Sequence, residues 1–334
     1  MPMFTLAELE AAVPLVRRVV PPTPLHAWPL LSNRTGAKVW VKHENHSPIG
    51  AFKIRGGVTY LDALLRREPK VKGVVTATRG NHGQSIALAA SSAGLPCTLF
   101  VPHGNSREKN AAMRAFGAEL IVVGADFDES AEHAARFAEE RGYHFVPSFH
   151  RDLVKGVATY ALEMFQAMPD LDAVYAPIGM GSGLCGLITA RDLLGLETQI
   201  IGVVAENAPT VALSFEAGRP VPTNSAATFA DGLACRIPHP EALAIMLAGA
   251  ARIVRVREDE IATAIRATYE DTHNLTEGAG AAALAALMQE RDAMAAKRVG
   301  LVLSGGNIDR EVFAEVLAGG TPDVARMGET AAKA

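Results

Sequence analysis

The chain of 334 residues carries 32 basic and 36 acidic residues, a formal net charge of −4, and 49% hydrophobic residues. This composition excludes an intrinsically disordered chain, and the acidic excess argues against a nucleic-acid binder. The length is typical of about two domains. No apolar run approaches the roughly 20 residues of a membrane helix, and the N-terminus lacks the basic start of a secretory signal. We therefore expect a globular cytoplasmic protein.

Short runs of β-branched residues alternate with alanine-rich helical stretches along the whole chain. Several runs are apolar at nearly every position, which is typical of strands buried on both faces. The predicted strands begin at Lys38, Val71, Cys97, Glu119, Asp172, Gln199, Ala251 and Arg298. This alternation favours parallel βαβ units, so the predicted fold class is α/β, with mostly parallel open sheets flanked by helices.

Three glycine-rich turns follow predicted strands: TRGNHGQS from Thr78, GMGSGLCG from Gly179 and SGGN from Ser304. Ligands of open α/β sheets bind outside the carboxyl ends of strands, so the turns define one site if their strands are neighbours. The longest irregular stretch, from Glu216 to Gly232, is rich in Pro and Gly and is predicted to be a connection or a functional loop.

The segment GMGSGLCG is typical of an anion-binding turn. Its glycines leave the backbone free to curl, and the residues after it predict a helix. Backbone N–H groups at the start of a helix suit a phosphate, and Ser182 adds a hydroxyl donor. Taken alone, the segment also fits, less well, a tight turn that binds nothing.

The same glycines raise a dinucleotide-binding alternative. Gly181, Gly183 and Gly186 match G-x-G-x-x-G, and Glu206 follows 20 residues after Gly186 at a strand end. An NAD-dependent oxidoreductase would leave Lys53, the GNH turn and SGGN without a role. Its fingerprint also prefers the first βα turn of a domain, whereas several predicted strands come earlier here.

Lys53, in SPIGAFKIRGG, is the candidate nucleophile. It links a predicted strand to a helix and follows Phe52. A lysine packed beside an aromatic ring can have a lowered pKa and act as an amine nucleophile. An amine together with a phosphate cradle indicates pyridoxal phosphate. Asn81 could hold a phenolic oxygen or only cap a helix, and Ser304 could meet a ring nitrogen or only turn the chain.

The order of these motifs resembles the fold-type-II pyridoxal-phosphate enzymes, and within them the serine/threonine dehydratase and serine racemase family. The resemblance covers about residues 20 to 320. It implies a two-domain fold like that of the tryptophan synthase β-subunit. Residues 1–72 and 153–320 would form the larger, cofactor-binding domain and 73–152 the smaller one. Residues 321–334 would be a frayed tail, no C-terminal regulatory domain would follow, and a homodimer or homotetramer is expected.

The resemblance also implies residue roles. Lys53 would bind the cofactor covalently and act in catalysis with Ser304, which would face the ring nitrogen. Glu277 matches an acidic position near the cofactor. The remaining implied cofactor-binding residues are Phe52, Asn81, Gly179, Met180, Gly181, Ser182, Gly183 and Leu184, and the implied substrate-binding residues are Thr78, Arg79, Gly80, Asn81 and His82.

Three positions depart from the family pattern. Ala51 replaces a serine before the lysine, and Arg79 replaces the serine that serves serine racemase as an acid–base partner. An arginine stays protonated, so racemisation is disfavoured. The family's divalent-cation site retains its first carboxylate, Glu206, but has Ala212 where its second ligand would stand, and hard cations prefer several oxygen ligands.

The resemblance thus implies a pyridoxal-phosphate-dependent dehydratase of amino-acid catabolism. It would remove water and then ammonia from a β-hydroxy amino acid such as L-threonine or L-serine, giving a 2-oxo acid. Arg79 leaves alternatives open, because it could lie on the surface or select 3-hydroxyaspartate or phenylserine. A β-replacement enzyme and a non-catalytic binding protein are further alternatives.

Overall fold

A computed structural model describes residues 3–323 of the chain. Within this range the strands are β1 (Leu25–Ala27), β2 (Lys38–His43), β3 (Val74–Ala77), β4 (Cys97–Val101), β5 (Glu119–Val122), β6 (His144–Phe145), β7 (Ala173–Pro177), β8 (Gln199–Ala205), β9 (Arg252–Val256) and β10 (Arg298–Leu303). Most of the tail predicted to be frayed, residues 324–334, lies outside the described residues.

Helices of seven to 17 residues connect these strands. Over residues 3–323 they are α1 (Leu6–Arg17), α2 (Pro29–Thr35), α3 (Lys53–Arg67), α4 (Asn81–Ser92), α5 (Arg107–Ala115), α6 (Phe127–Arg141), α7 (Arg151–Ala167), α8 (Ser182–Leu193), α9 (Thr210–Ala217), α10 (Pro240–Gly249), α11 (Glu258–Thr272), α12 (Gly278–Gln289) and α13 (Arg310–Leu317). No helix among them is long and apolar enough to cross a membrane.

The strands form two sheets. One has six strands in the order β1-β2-β10-β7-β8-β9, and only β1 runs antiparallel to its neighbour. The other has four parallel strands in the order β5-β4-β3-β6. All eight predicted strands are present and the α/β fold class is confirmed. The sequence analysis missed β1 and β6, which have three and two residues at sheet edges.

Both faces of the six-stranded sheet are covered by helices, which explains its continuous apolar runs. Tyr175 and Ile201 pack in one core with α11 and α12, while Val174 and Ile200 pack in a second core with α7 and α8. Successive side chains of a strand point to opposite faces, so a strand between two helical layers must be apolar at every position.

The order of this sheet brings the predicted motifs together. Because β10 pairs in parallel with both β2 and β7, the carboxyl ends of these three strands meet at one edge. The segments that carry Lys53, SGGN and GMGSGLCG follow those three ends. The TRGNHG turn follows β3 in the four-stranded sheet, whose strands lie within residues 74–145, here called the small-sheet segment. The exact domain boundaries stay a prediction.

A buried ion network fixes the start of α3 against α7. The guanidinium of Arg55 donates to both carboxylate oxygens of Glu44 at 2.8 and 3.0 Å and to both of Glu163 at 3.0 and 2.9 Å. Lys42 donates to Glu163 at 2.7 Å. Burial would raise the pKa of Glu163, but the hydrogen bonds and charge of Arg55 hold it below its ordinary value. Arg55 lies two residues after Lys53, so this network holds the turn that presents the candidate nucleophile.

Replacing Arg55 tests how much the network contributes. Arg55→Leu leaves two carboxylates buried without their shared cation, and we expect a loss of about 3–5 kcal/mol of unfolding free energy in urea. Arg66→Leu is the matched control, since Arg66 is on the same helix with a side chain 76% exposed and should cost less than about 1 kcal/mol. Equal losses in the two variants would contradict the assignment.

Candidate active site

One cavity of about 560 Å³ receives residues from all the predicted motifs. This volume lies within the roughly 300–1,000 Å³ of small-molecule sites. Of the predicted cofactor and substrate residues, Leu184 does not line it, because its side chain is fully buried in the hydrophobic core. Those that line it are Phe52, Lys53, Thr78, Arg79, Gly80, Asn81, His82, Gly179, Met180, Gly181, Ser182, Gly183 and Ser304.

Lys53 is the first residue of α3, and its amine faces the turn after β7. The Nζ atom donates to the hydroxyl of Ser182 at 3.1 Å and lies 5.0 Å from the centre of the Phe52 ring. Burial lowers the pKa of Lys53 to about 8, because the charged form loses its hydration. The amine is therefore closer to its nucleophilic, neutral form than an exposed lysine would be.

The turn between β7 and α8 forms an anion cradle. Gly181 has a left-handed backbone, with φ of 98°, and a Cβ there would lie 2.4 Å from the methyl carbon of Met246. No side chain caps the start of α8, so its first N–H groups remain for a ligand. The Gly183 carbonyl accepts from the Tyr160 hydroxyl at 3.1 Å, which fixes the turn. A phosphate fits this arrangement.

Residues 304–306 pair directly with the segment before Lys53. The Phe52 N–H donates to the Ser304 carbonyl at 3.0 Å, and the Gly306 N–H donates to the Gly50 carbonyl at 2.9 Å. Ser304 itself is buried at the cavity wall. This pairing sets Ser304 and Lys53 in a fixed relation, although 251 positions separate them in the sequence.

Asn81 begins α4, and both ends of its amide are held. Its Nδ2 donates to Glu277 Oε1 at 2.6 Å, and its Oδ1 accepts from Asn307 Nδ2 at 2.8 Å. An amide nitrogen has two N–H groups, so one donor remains for a ligand. The alternative prediction, that Asn81 only caps a helix, is wrong, because the N-cap residue of α4 is Gly80 and Asn81 is the first residue of the helix.

A buried lysine connects the small-sheet segment to the opposite wall of the cavity. Lys109, on α5, donates to both carboxylate oxygens of Asp231 at 2.9 and 2.8 Å and to Glu277 Oε2 at 2.9 Å. Burial alone would lower the pKa of Lys109, but the two carboxylates raise it. Burial raises the pKa of Glu277, against the attraction of Lys109. The three groups hold Asn81 in place through Glu277.

The TRGNHG turn presents backbone and side-chain donors to the cavity. The Thr78 hydroxyl accepts from the N–H groups of Gly80 at 3.0 Å and Gly83 at 2.9 Å, which fixes the turn. Burial and repulsion by Lys53 lower the pKa of His82 to about 3, so this imidazole is neutral at pH 7. Arg79 is half-buried on the cavity wall.

The irregular stretch predicted from Glu216 to Gly232 forms part of the cavity wall. Its residues 224–227 line the cavity, and it continues into the loop that carries Arg236. Arg236 pairs with Asp128 and, at 3.1 Å, with Asp126, both from the start of α6. These ion pairs join the loop to the small-sheet segment across the cavity.

Glu206, the candidate metal ligand, lies away from this site. It is exposed just after β8, and its N–H donates to the Val256 carbonyl at 2.8 Å. Ala212 is buried on α9 and offers no oxygen ligand from its side chain. Over residues 3–323, no group of three or more His, Cys, Asp or Glu side chains could hold a metal ion.

No sequence motif pointed to several residues of the site. Lys109 and Asp231 lie in ordinary helical and loop patterns, and only their burial against each other reveals them. Asn307 belongs to the SGGN motif, yet its contact with Asn81 depends on how the two sheets meet. Arg236 likewise pairs with residues more than 100 positions away.

Comparisons with known proteins identify the family. The model of the family described as pyridoxal-phosphate dependent enzyme matches residues 16–305. The chain belongs to the pyridoxal-phosphate dependent enzymes. This confirms the family resemblance predicted from the sequence and the cofactor, pyridoxal phosphate.

Relatives of this pyridoxal-phosphate dependent enzyme include two proteins named L-threonine ammonia-lyase. That of Thermotoga maritima is 35% identical, over 94% of this chain and 78% of its own length. That of Geobacter sulfurreducens is 39% identical, over 86% of this chain and 71% of its own length. The solved structure of processed threonine deaminase isoform 2 from Solanum lycopersicum has a TM-score of 0.87 and 31% identity, and covers 94% of this chain and 87% of that one.

The residues of this enzyme fit pyridoxal phosphate. The uncapped start of α8 could hold the phosphate, the Lys53 amine could bond to the aldehyde, and Asn81 could donate to the ring oxygen. Ser304, also on the cavity wall, could offer a hydroxyl, not a carboxylate, to the ring nitrogen. The dinucleotide alternative, which relied on Gly181, Gly183 and Gly186, is therefore wrong.

Borohydride reduction of the holoenzyme tests the role of Lys53. We expect peptide mapping to find the reduced cofactor on Lys53, because this amine has no carboxylate partner among the described residues. Lys109 is an internal control, since three hydrogen bonds to carboxylate oxygens occupy its amine. The cofactor on Lys109, or on an exposed lysine, would refute the assignment.

A double-mutant cycle tests the coupling of Lys109 to Glu277. Lys109→Met leaves two carboxylates near each other in a buried site, and we expect it to cost about 3–5 kcal/mol of unfolding free energy. In a Glu277→Gln background the same replacement should cost at least about 1 kcal/mol less, because one buried charge is already gone. Additive losses in urea unfolding would show that the two side chains are not coupled.

Proposed function

We propose that this enzyme is an ammonia-lyase that acts on β-hydroxy amino acids such as L-threonine and L-serine. It releases water and then ammonia and leaves a 2-oxo acid. One observation carries the proposal. The partly buried amine of Lys53, with its pKa lowered to about 8, lies between a phosphate cradle and a turn rich in N–H donors.

Bound pyridoxal phosphate supplies an aldehyde that bonds to amines and a conjugated ring that draws electrons away from the α-carbon of the substrate. The protein must then provide a base for the α-proton. Lys53 is suited to this role, because its lowered pKa keeps a useful fraction of the amine neutral at pH 7 to 8. Its contact with Ser182 at 3.1 Å holds the amine at the cavity wall.

Ser304 favours elimination over reactions that need a long-lived carbanion. A serine hydroxyl carries no charge, so it would not hold a ring nitrogen protonated as a carboxylate does. A ring that withdraws electrons less strongly favours prompt loss of the β-hydroxyl. The pairing of residues 304–306 with the Lys53 segment keeps Ser304 in place during this step.

The proposed substrate site is the TRGNHG turn. The N–H groups of Asn81 and His82 lie in the first turn of α4 and have no partner within the helix. They would receive the α-carboxylate of the substrate, while Thr78 and Gly80 shape the turn. The neutral His82 adds no competing charge. The ion pairs of Arg236 with Asp126 and Asp128 hold its loop across the cavity, where it would help to exclude water.

A product assay tests the proposal. The holoenzyme with L-threonine or L-serine should release one 2-oxo acid and one ammonia per substrate, whereas Lys53→Ala should release neither. Lys38→Ala, at an exposed lysine on β2, is the matched control and should retain activity. If sulfide is consumed and no 2-oxo acid forms, the enzyme is a β-replacement enzyme and the proposal fails. Assembly as a homodimer or homotetramer and a cytoplasmic location stay predictions.

A further inference from the structure

We propose that Arg79 makes this enzyme selective for β-hydroxy amino acids whose side chain carries a second carboxylate, as in 3-hydroxyaspartate. The inference rests on the proposed function and deepens it, because it names the substrate class of the same site. For such a substrate a proton leaves the α-carbon and the hydroxyl leaves the β-carbon, which together make one water. One water is then consumed when the C–N bond is hydrolysed and ammonia is released. The net products are the corresponding dicarboxylic 2-oxo acid and ammonia.

The first observation is the lack of a partner for Arg79. Its Nε atom is inaccessible to solvent and has no hydrogen-bond acceptor among residues 3–323. A guanidinium is always charged, and a buried charged donor without an acceptor is unfavourable. The side chain as a whole is only half-buried and lies on the cavity wall, so a ligand in the cavity can bring an acceptor to its terminal N–H groups.

The second observation is the state of the other cations that line the cavity. Lys109 is bound to Asp231 and Glu277, and Arg236 to Asp126 and Asp128. Lys53 is the amine assigned to the cofactor. His82 is neutral at pH 7, because burial and Lys53 lower its pKa. Among the described lysines and arginines of the wall, Arg79 is thus the cation left for an anionic substrate group.

The α-carboxylate that all amino acids share has a separate place in this site. The Thr78 hydroxyl occupies the N–H groups of Gly80 and Gly83, which leaves those of Asn81 and His82 at the start of α4. These two donors suit one carboxylate. Arg79 belongs to the same TRGNHG turn, two residues before Asn81, so it is placed to receive a second anionic group of the same ligand.

A carboxylate satisfies Arg79 better than the other candidates do. Two parallel hydrogen bonds from the two terminal nitrogens of the guanidinium match the geometry of a carboxylate. Stacking on an aromatic side chain, as with phenylserine, would leave the terminal N–H groups of the guanidinium without an acceptor. The hydroxyl of threonine or serine is lost in the reaction, and the methyl group or hydrogen that remains offers nothing to a guanidinium.

Binding of unreactive ligands to the holoenzyme tests the charge preference directly. L-Aspartate has the second carboxylate but no β-hydroxyl to eliminate, and L-asparagine has the same shape without the charge. By calorimetry we expect aspartate to bind at least about tenfold more tightly than asparagine, the effect of one charged hydrogen bond. Arg79→Met should remove this preference, and Arg79→Lys should restore part of it. Equal affinities in the unmodified enzyme would overturn the inference.

The kinetic arm compares 3-hydroxyaspartate, threonine and phenylserine by release of 2-oxo acid. We expect kcat/KM to favour 3-hydroxyaspartate over threonine, and Arg79→Met to lower that ratio by about tenfold or more. Arg66→Met, which removes an exposed charge of the same kind, should leave the ratio unchanged. A preference for phenylserine, or an unchanged ratio in Arg79→Met, would overturn the inference.

The two arms separate failure of this inference from failure of the proposed function. If none of the β-hydroxy amino acids releases a 2-oxo acid, the proposed function fails, while the aspartate–asparagine comparison still decides the role of Arg79. Suppose instead that threonine is turned over while Arg79→Met changes neither the aspartate-to-asparagine affinity ratio nor the kcat/KM ratio of 3-hydroxyaspartate to threonine. The enzyme is then an ammonia-lyase without a preference for acidic substrates. In that case only the inference on Arg79 fails.

Discussion

The active site depends on one buried cation that joins its two walls. Lys109 belongs to the small-sheet segment, whereas Asp231 and Glu277 belong to the rest of the chain. The Glu277 carboxylate is buried and that of Asp231 is partly buried, so the two would repel each other without the amine between them. Since Glu277 also holds Asn81, the orientation of a cavity residue is set by a charge that the cavity ligand need not touch.

The Lys109 side chain also restricts which residue can stand at position 80. A Cβ at this position would lie 2.4 Å from Cδ of Lys109, so any larger residue would displace the lysine stem. The turn that faces the substrate is thus packed on the very side chain that joins the walls. A change at Gly80 would therefore alter turn geometry and ion pairing together, and the two effects would be hard to separate by mutation.

The sequence was informative where chemistry and local structure coincide. Lys53, the Gly179–Leu184 turn and SGGN were predicted because each follows a strand and carries residues suited to a cofactor. Leu184 shows where such a prediction fails. It belongs to the motif, but it lies on the face of α8 that packs into the hydrophobic core and not on the face toward the cavity. Lys109, Asp231 and Arg236 were missed, because their partners are more than 100 positions away and no local pattern encodes such pairs. The short strands β1 and β6 were missed because two or three residues give no periodicity.

In the TRGNHG turn, different residues determine the backbone shape and the contact proposed with the substrate. The Thr78 hydroxyl fixes the backbone from one side, and Gly80 allows the close approach of Lys109 on the other. The Nε atom of Arg79 has no hydrogen-bond partner in the turn or elsewhere among residues 3–323. If Arg79 selects the substrate as proposed, a mutation there would change what the cavity recognises and break no hydrogen bond of the turn. With the role proposed for Arg79, position 79 is an evolvable site, at which one amino-acid replacement would change substrate preference and leave the turn intact.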